Sequence, residues 1–233
     1  MKGDAKCMRT PGMRRPTSAR SMRSMRSLRL LVTALLLAAT ACGGDSTAPP
    51  GEQPPGTSVP ASGLSFVPLG RNAPSLVSNT ASFWARVGED RIVRMYYRPR
   101  AGRTDSTEFL RFRVRKNSLL RRPDGTSFGP NDSLQITLRV TDPTSLIVEF
   151  APAGLVFDPS DPADLKLSFH ERNGDLNDDG KSDASDDAVR TRIAIWKQEP
   201  AGLPWVKLLS NLVVGADEIE AKLTGFTSYA IAY

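Results

Sequence analysis

Asp175, Asn177, Asp179, Gly180, Asp183 and Asp186 occupy the first, third, fifth, sixth, ninth and twelfth positions of the run DLNDDGKSDASD. Oxygen side chains at alternate positions, a glycine for the sharp turn, and oxygens three and six residues beyond it let a short loop wrap one hard cation. Lys181, at the seventh position, would lend its backbone carbonyl. Asp178 and Asp187 bring the segment to six carboxylates in thirteen residues, and their repulsion favours a positive partner. Ca²⁺ suits this donor set, in a structural role and with Kd on the order of 10⁻⁴–10⁻³ M or somewhat tighter. The competing reading is an acidic surface loop that needs no ion.

The spacing resembles the loops of EF-hand and dockerin modules. It departs from them at position twelve, where Asp186 replaces the longer bidentate Glu, and in being a single loop. Its flanks, DLKLSF before and TRIAIWK after, read as strands, so the loop is expected inside a β connection. A signalling role would need a paired helix to move.

A second group is cationic. Arg94, Tyr96 and Arg98 can share one face of a strand, and Arg111, Arg113 and Arg115 one face of another. Pairing of those strands would give a basic, aromatic-dotted surface for an anionic glycan or a lipid head group, or simply the solvated side of a sheet. Residues 86–139 hold 13 basic and 6 acidic side chains and residues 142–187 hold 3 and 12, an asymmetry that could be matched internally. The one histidine, His170, lies near Ser168 and Glu171, but no G-x-S-x-G elbow accompanies them. Trp84, Trp196 and Trp205 could stack on sugars or bury between sheets. There is no phosphate loop or nucleotide fingerprint, and the two cysteines, Cys7 and Cys42, cannot build a zinc or redox cluster.

These residues need a scaffold, and from about Ala61 to Tyr233 the apolar side chains alternate with period two. Strands are expected at 82–87, 91–98, 108–115, 133–140, 145–150, 164–169, 191–197, 205–209, 218–223 and 226–232. Turn signals fall between them, and no window carries three helical turns. The expectation is an all-β, antiparallel β-sandwich, Ig-like or ZU-like.

The stretch Phe150-Ala151-Pro152-Ala153-Gly154-Leu155-Val156-Phe157-Asp158-Pro159, followed by Leu165-Lys166-Leu167-Ser168-Phe169, resembles the "P-x-G-x-x-F-x-x-P, then L-x-L" segment of ZU-type domains. In this chain a single residue, Asp158, separates Phe157 from Pro159. The likeness continues through Ile195-Trp196-Lys197, Trp205-Val206 and Gly225-Phe226-Thr227-Ser228-Tyr229-Ala230, covering roughly residues 145–232. Those domains are the sandwiches of zonula occludens proteins, netrin receptors and ankyrins, where they serve as interaction modules. The resemblance therefore implies a non-catalytic role.

Ahead of the sandwich, LLVTALLLAA at 30–39 follows Arg23, Arg26 and Arg29. This is the layout of a secretory signal, too short to span hydrocarbon. Ala39-Thr40-Ala41-Cys42-Gly43 resembles the lipobox of bacterial lipoproteins, with Ala39 where Leu is usual, and implies acylation of Cys42. An ordinary signal cut near Ala41 is the other reading. Gly43 favours the outer membrane, and translation could begin at Met22 or Met25. Residues 43–60 hold five Pro and four Gly among eighteen and read as a linker with a reach on the order of 50 Å at roughly 3 Å per residue.

The division expected is thus 1–41 signal peptide, 42–60 lipidated Cys42 and flexible linker, 61–233 sandwich. Nine of the 31 Lys/Arg but one of the 25 Asp/Glu lie in residues 1–41, leaving 22 basic against 24 acidic side chains beyond. That balance excludes a nucleic-acid binder. The function expected is an exported, lipid-anchored cell-envelope module with one structural Ca²⁺, not an enzyme. Its partners are a membrane, through the lipid, and an unidentified protein or glycan. The alternative is a carbohydrate-binding surface lipoprotein using the Arg/Tyr face.

Overall fold

The computed structural model describes residues 53–233. The expected signal peptide and lipobox, with Cys42, lie outside the described residues.

The alternating segments form an all-β sandwich in which every strand pair is antiparallel. In chain order the strands are β1 (Ser58–Val59), β2 (Thr80–Arg86), β3 (Arg91–Tyr96), β4 (Glu108–Val114), β5 (Leu119–Arg121), β6 (Ser133–Asp142), β7 (Ile147–Ala151), β8 (Val156–Phe157), β9 (Ala163–Ser168), β10 (Ala194–Gln198), β11 (Trp205–Lys207), β12 (Ser210–Val213), β13 (Glu218–Leu223) and β14 (Ser228–Ala232). Among the described residues one α-helix, α1 (Ala184–Arg190), interrupts them. The larger sheet runs β1-β11-β10-β14-β7-β6-β2, the smaller β12-β13-β9-β4-β3, and β5 pairs with β8.

Period two explains which side chains face inward. Leu110, Phe112 and Val114 of β4, Leu165 and Leu167 of β9 and Ile219 and Leu223 of β13 point into the core, with Ile136, Leu138, Val148 and Phe150 of the larger sheet facing them. Alternate residues, charged in the smaller sheet, are left on its outer face. β10 and β14 break the pattern because their sheet is covered on both sides. Ala194, Trp196, Trp205, Ala230 and Ala232 form a second apolar layer under Val59, Leu64 and Phe66.

Three departures from the strand reading have local causes. Residues 191–193 close a two-turn helix instead of opening a strand, because Asp183 and Asp186 cap that helix as a reciprocal pair. β5, β8 and β12 are two to four residues long, too short for a periodic signal. Ser58–Val59, inside the Pro/Gly stretch read as a linker, pairs with Val206 and Trp205.

Candidate functional site

The acidic run lies between β9 and β10. A single 3₁₀ turn, His170–Arg172, ends β9, and Asn173 and Gly174 then take left-handed conformations. Asp178 (φ 63°) and Gly180 (φ 88°) are also left-handed, and these reversals curl the loop.

Each oxygen side chain of the spacing is turned onto the loop's own backbone. Asp175 Oδ2 accepts from Gly180 N at 3.1 Å, Asn177 Oδ1 from Asp179 N at 3.1 Å and Asp179 Oδ1 from Lys181 N at 2.9 Å. Asp183 Oδ1 caps α1 through Ser185 N at 2.9 Å. Asp186, 2 % exposed, accepts from Leu176 N and Asn177 N on Oδ1 and from Asp183 N on Oδ2. Burial pushes the Asp186 carboxyl up, but these three N–H groups and the Arg172 charge outweigh it and hold it below the ordinary value.

Arg172 lies in the turn before the acidic run, and no motif or spacing in the sequence marks it. Its side chain is 3 % exposed, with Nη1 donating to Asp178 Oδ1 at 3.1 Å and to Leu69 O at 3.3 Å, and Nη2 lying 3.5 Å from Asp175 Oδ1. Hydrogen bonding to Arg172 holds the Asp178 carboxyl below its usual range. Arg71 reaches the loop from the other side, donating to Asp178 O at 3.0 Å. The loop is thereby tied to residues 69–71, and Gly70 fits only because it has no Cβ, which would stand 2.1 Å from Glu171 O.

For a cation the donor set is chemically apt: carboxylates, one amide and main-chain carbonyls, with no nitrogen or sulfur ligand. Asp175 Oδ1 is buried with no hydrogen bond, as are Arg172 Nε and Nη2. Among the described residues, no three His, Cys, Asp or Glu side chains converge as they stand. Arg172 competes for Asp175 and also holds Asp178, so the loop has an internal counter-charge as well as oxygens for an external one.

The basic group divides. β3 and β4 do pair, Arg94 opposite Arg111 and Ile92 opposite Arg113, and Arg94, Tyr96, Arg111, Arg113 and Arg115 share the outer face of the smaller sheet. Arg98 lies past the end of β3, in a separate cleft. The cations on the face are matched by acids. Arg94 pairs with Glu108 at 3.0 Å, Arg111 with Glu108 and Glu220 at 3.7 Å, Arg113 with Asp90, and Arg115 with Asp164 at 2.8 Å and Asp161 at 3.6 Å. Lys166, its side chain 11 % exposed, sits 2.6 Å from Glu218 and 3.2 Å from Glu108, and Lys222 meets Asp164. Six bases stand among six acids, so the basic stretch and part of the acidic stretch cancel across the sheet. Apart from Glu108 at the start of β4 itself, the acids come from β9, β13 and loops, which no single strand's pattern could place beside β4.

Asp164 shows the pH consequence. Burial raises its carboxyl, but Lys222 and Arg115 hold it below the ordinary 3.8, and Asp90 and Asp158 are lowered too. Such groups take up protons in the unfolded chain first, so their stabilisation is full above about pH 4 and is lost as pH falls through the lower folded values. The unfolding midpoint should be level between about pH 7 and pH 5 and fall steeply below about pH 4. Circular-dichroism melts across that range test this, and an Asp164→Asn variant with an equally steep acid limb would remove Asp164 from the account.

Trp196 and Trp205 are buried, Trp196 Nε1 donating to Ala232 O at 3.0 Å. Trp84 is 60 % exposed but lies on β2 of the larger sheet, away from Tyr96, so the two do not make one platform. Ser168 Oγ accepts from the backbone N–H of His170 at 3.3 Å, while the imidazole Nδ1 lies 3.7 Å from Asp217.

No family model, curated protein or solved structure matches the chain.

Proposed function

We propose that this chain is an exported, lipid-anchored β-sandwich of the cell envelope, a non-catalytic module whose 175–186 loop takes one Ca²⁺ as a clamp. The observation that carries the reading is the loop itself. Backbone N–H groups hold Asp175, Asn177, Asp179, Asp183 and Asp186 in one closed turn, and Asp175 Oδ1 is buried without a hydrogen bond. Asp175, Asn177, Asp179, Asp183 and Asp186, with the Lys181 carbonyl, would hold the ion. It would neutralise the carboxylates and stiffen the connection that Arg71 and Arg172 tie to residues 69–71. The lipid on Cys42 would place the module at a membrane, the outer one favoured.

Thermal melts in millimolar CaCl₂ and in EDTA, for the wild type and for Asp175→Ala and Asp179→Ala, test the clamp. A ligand bound only by the folded state stabilises it and raises the midpoint, the stabilisation being about 0.4–1.4 kcal/mol at one to ten times Kd. A rise in the wild type that both substitutions abolish is expected. Identical melts in the two buffers would sink the calcium reading.

A second reading, carbohydrate binding by a surface lipoprotein, is favoured by a groove of about 650 Å³ over the smaller sheet. Its floor carries Arg111, Lys166 and Glu220, and Ile92 and Leu209 flank it. Charged donors and acceptors between two exposed apolar side chains suit a polar, neutral sugar. Retention on a glycan array that Arg111→Ala abolishes, with melting unchanged by calcium, would favour this reading over the first.

A further inference from the structure

The cleft that receives Arg98 differs from the sheet face in one respect: its positive charge is not fully matched. Sequence supplies the bases at short spacing, Arg98-Pro99-Arg100-Ala101-Gly102-Arg103. Proline fixes the backbone between the first two, and Gly102, at φ 78°, turns the chain so that the third comes back towards them. Backbone bonds set the loop in place, Arg98 N to Ser75 O at 2.8 Å, Tyr97 N to Thr107 O at 2.9 Å and Arg103 N to Arg100 O at 2.9 Å. The opposite wall is the turn after β9, with His170 and Asn173.

Two acids line this cleft, and each is taken. Glu171, its side chain 6 % exposed, is bound by Arg100 Nη2, while Arg100 Nη1 donates to Asn72 O at 2.9 Å. Asp105 is gripped by Arg103 through Nε at 2.9 Å and through Nη2. His170 faces Asp217, which Arg190 also binds. Among the described residues, no acid pairs with Arg98. Arg100 is held rigid by its two partners, so its charge is fixed at the cleft wall. Thr107 and Asn173, both uncharged and polar, line the cleft as well. The cleft is about 370 Å³, at the lower end of small-ligand sites.

From this arrangement we infer that the cleft is a binding site for a small tetrahedral oxyanion, a phosphate or sulfate group free or esterified to a sugar-sized molecule. The Arg98 guanidinium is the planar fork suited to two oxyanion oxygens, and Arg100, Thr107 and Asn173 line the same cleft. Nothing in this inference depends on calcium. None of the 175–186 residues lines the cleft, so the two readings fail separately.

The test is a ¹H–¹⁵N titration of the full-length protein with sodium phosphate and, separately, with glucose 1-phosphate, ionic strength being held level with NaCl so that screening is constant. Saturable shifts confined to residues 98–107 and 170–173 are expected, with millimolar affinity. Tighter binding of glucose 1-phosphate would assign the site to an ester, and equal binding to the free anion. Arg98→Gln should weaken either by about five-fold or more, the loss of a charge-assisted pair of hydrogen bonds. Arg121→Gln, which removes an exposed arginine elsewhere, should leave the affinity unchanged. Shifts that do not saturate, that scatter over the surface, or that survive Arg98→Gln would overturn the site. An unchanged amide spectrum outside the cleft shows that the variant is folded.

Discussion

Phe112→Ala should lower the unfolding midpoint by roughly 10 °C, the largest effect of any single core substitution proposed for this chain. Phe112 is fully buried at the middle of β4. Its ring lies edge-on to Phe150 at 5.1 Å between centroids, and Phe226, Phe157 and Phe83 follow at 5.6, 6.2 and 6.3 Å. Phe150 and Phe83 belong to the larger sheet, so the one ring of Phe112 fastens the two sheets together. Removing it loses the transfer energy of an aromatic side chain and leaves a cavity that four other rings cannot collapse into, about 4 kcal/mol together. For a domain of this size each kcal/mol moves the midpoint by about 2–4 °C. Phe112→Leu, which keeps most of the volume, should cost less than half as much. Equal midpoints for the two variants would show that the cluster is not what joins the sheets.

Arg172→Ala should cost about 3 kcal/mol and, in the same protein, enlarge the response to calcium. The guanidinium is the cation nearest Asp175 and is buried between it, Asp178 and Leu69 O. Its removal strands a buried carboxylate oxygen that already lacks a hydrogen bond, and the loss of one partner of a buried pair is strongly destabilising. The loop then carries the same carboxylates with one positive charge fewer, so a divalent cation should bind more tightly. Melts in EDTA should show the deficit, and millimolar CaCl₂ should recover more of it than the same addition gains in the wild type. If calcium recovers nothing in Arg172→Ala, the loop is neutralised by its arginines rather than by an ion, and the clamp reading falls. Arg172→Lys, which keeps the charge without the fork, should lie between the two.

Much of the sandwich was legible because alternation is a local property. EFLRFRV, DLKLS and EIEAKL each state which face is inward, and the strands formed there. The turns within the acidic run are local in the same way, Asp175, Asn177 and Asp179 bonding to backbone two to five residues away, whereas Asp186 closes the loop by reaching back nine and ten. Helix α1 was missed although its capping pair, Asp183 and Asp186, was in view. The same two carboxylates fit the cation spacing, and seven residues are too few for helical periodicity to show.

What the chain alone determined is therefore local: inward and outward faces, the turn chemistry of the 175–186 loop, and the charge placed on each segment. Only the tertiary structure decided which charges meet. It set Lys166 between Glu108 and Glu218, neutralised Arg111 and Arg113, closed Arg172 over Asp175 and Asp178, and turned Arg98 away from the sheet into a cleft of its own. The reason is physical. Strand order brings residues some fifty positions apart into register, and a charge's energy depends on its distance to other charges and to water, which sequence separation does not specify.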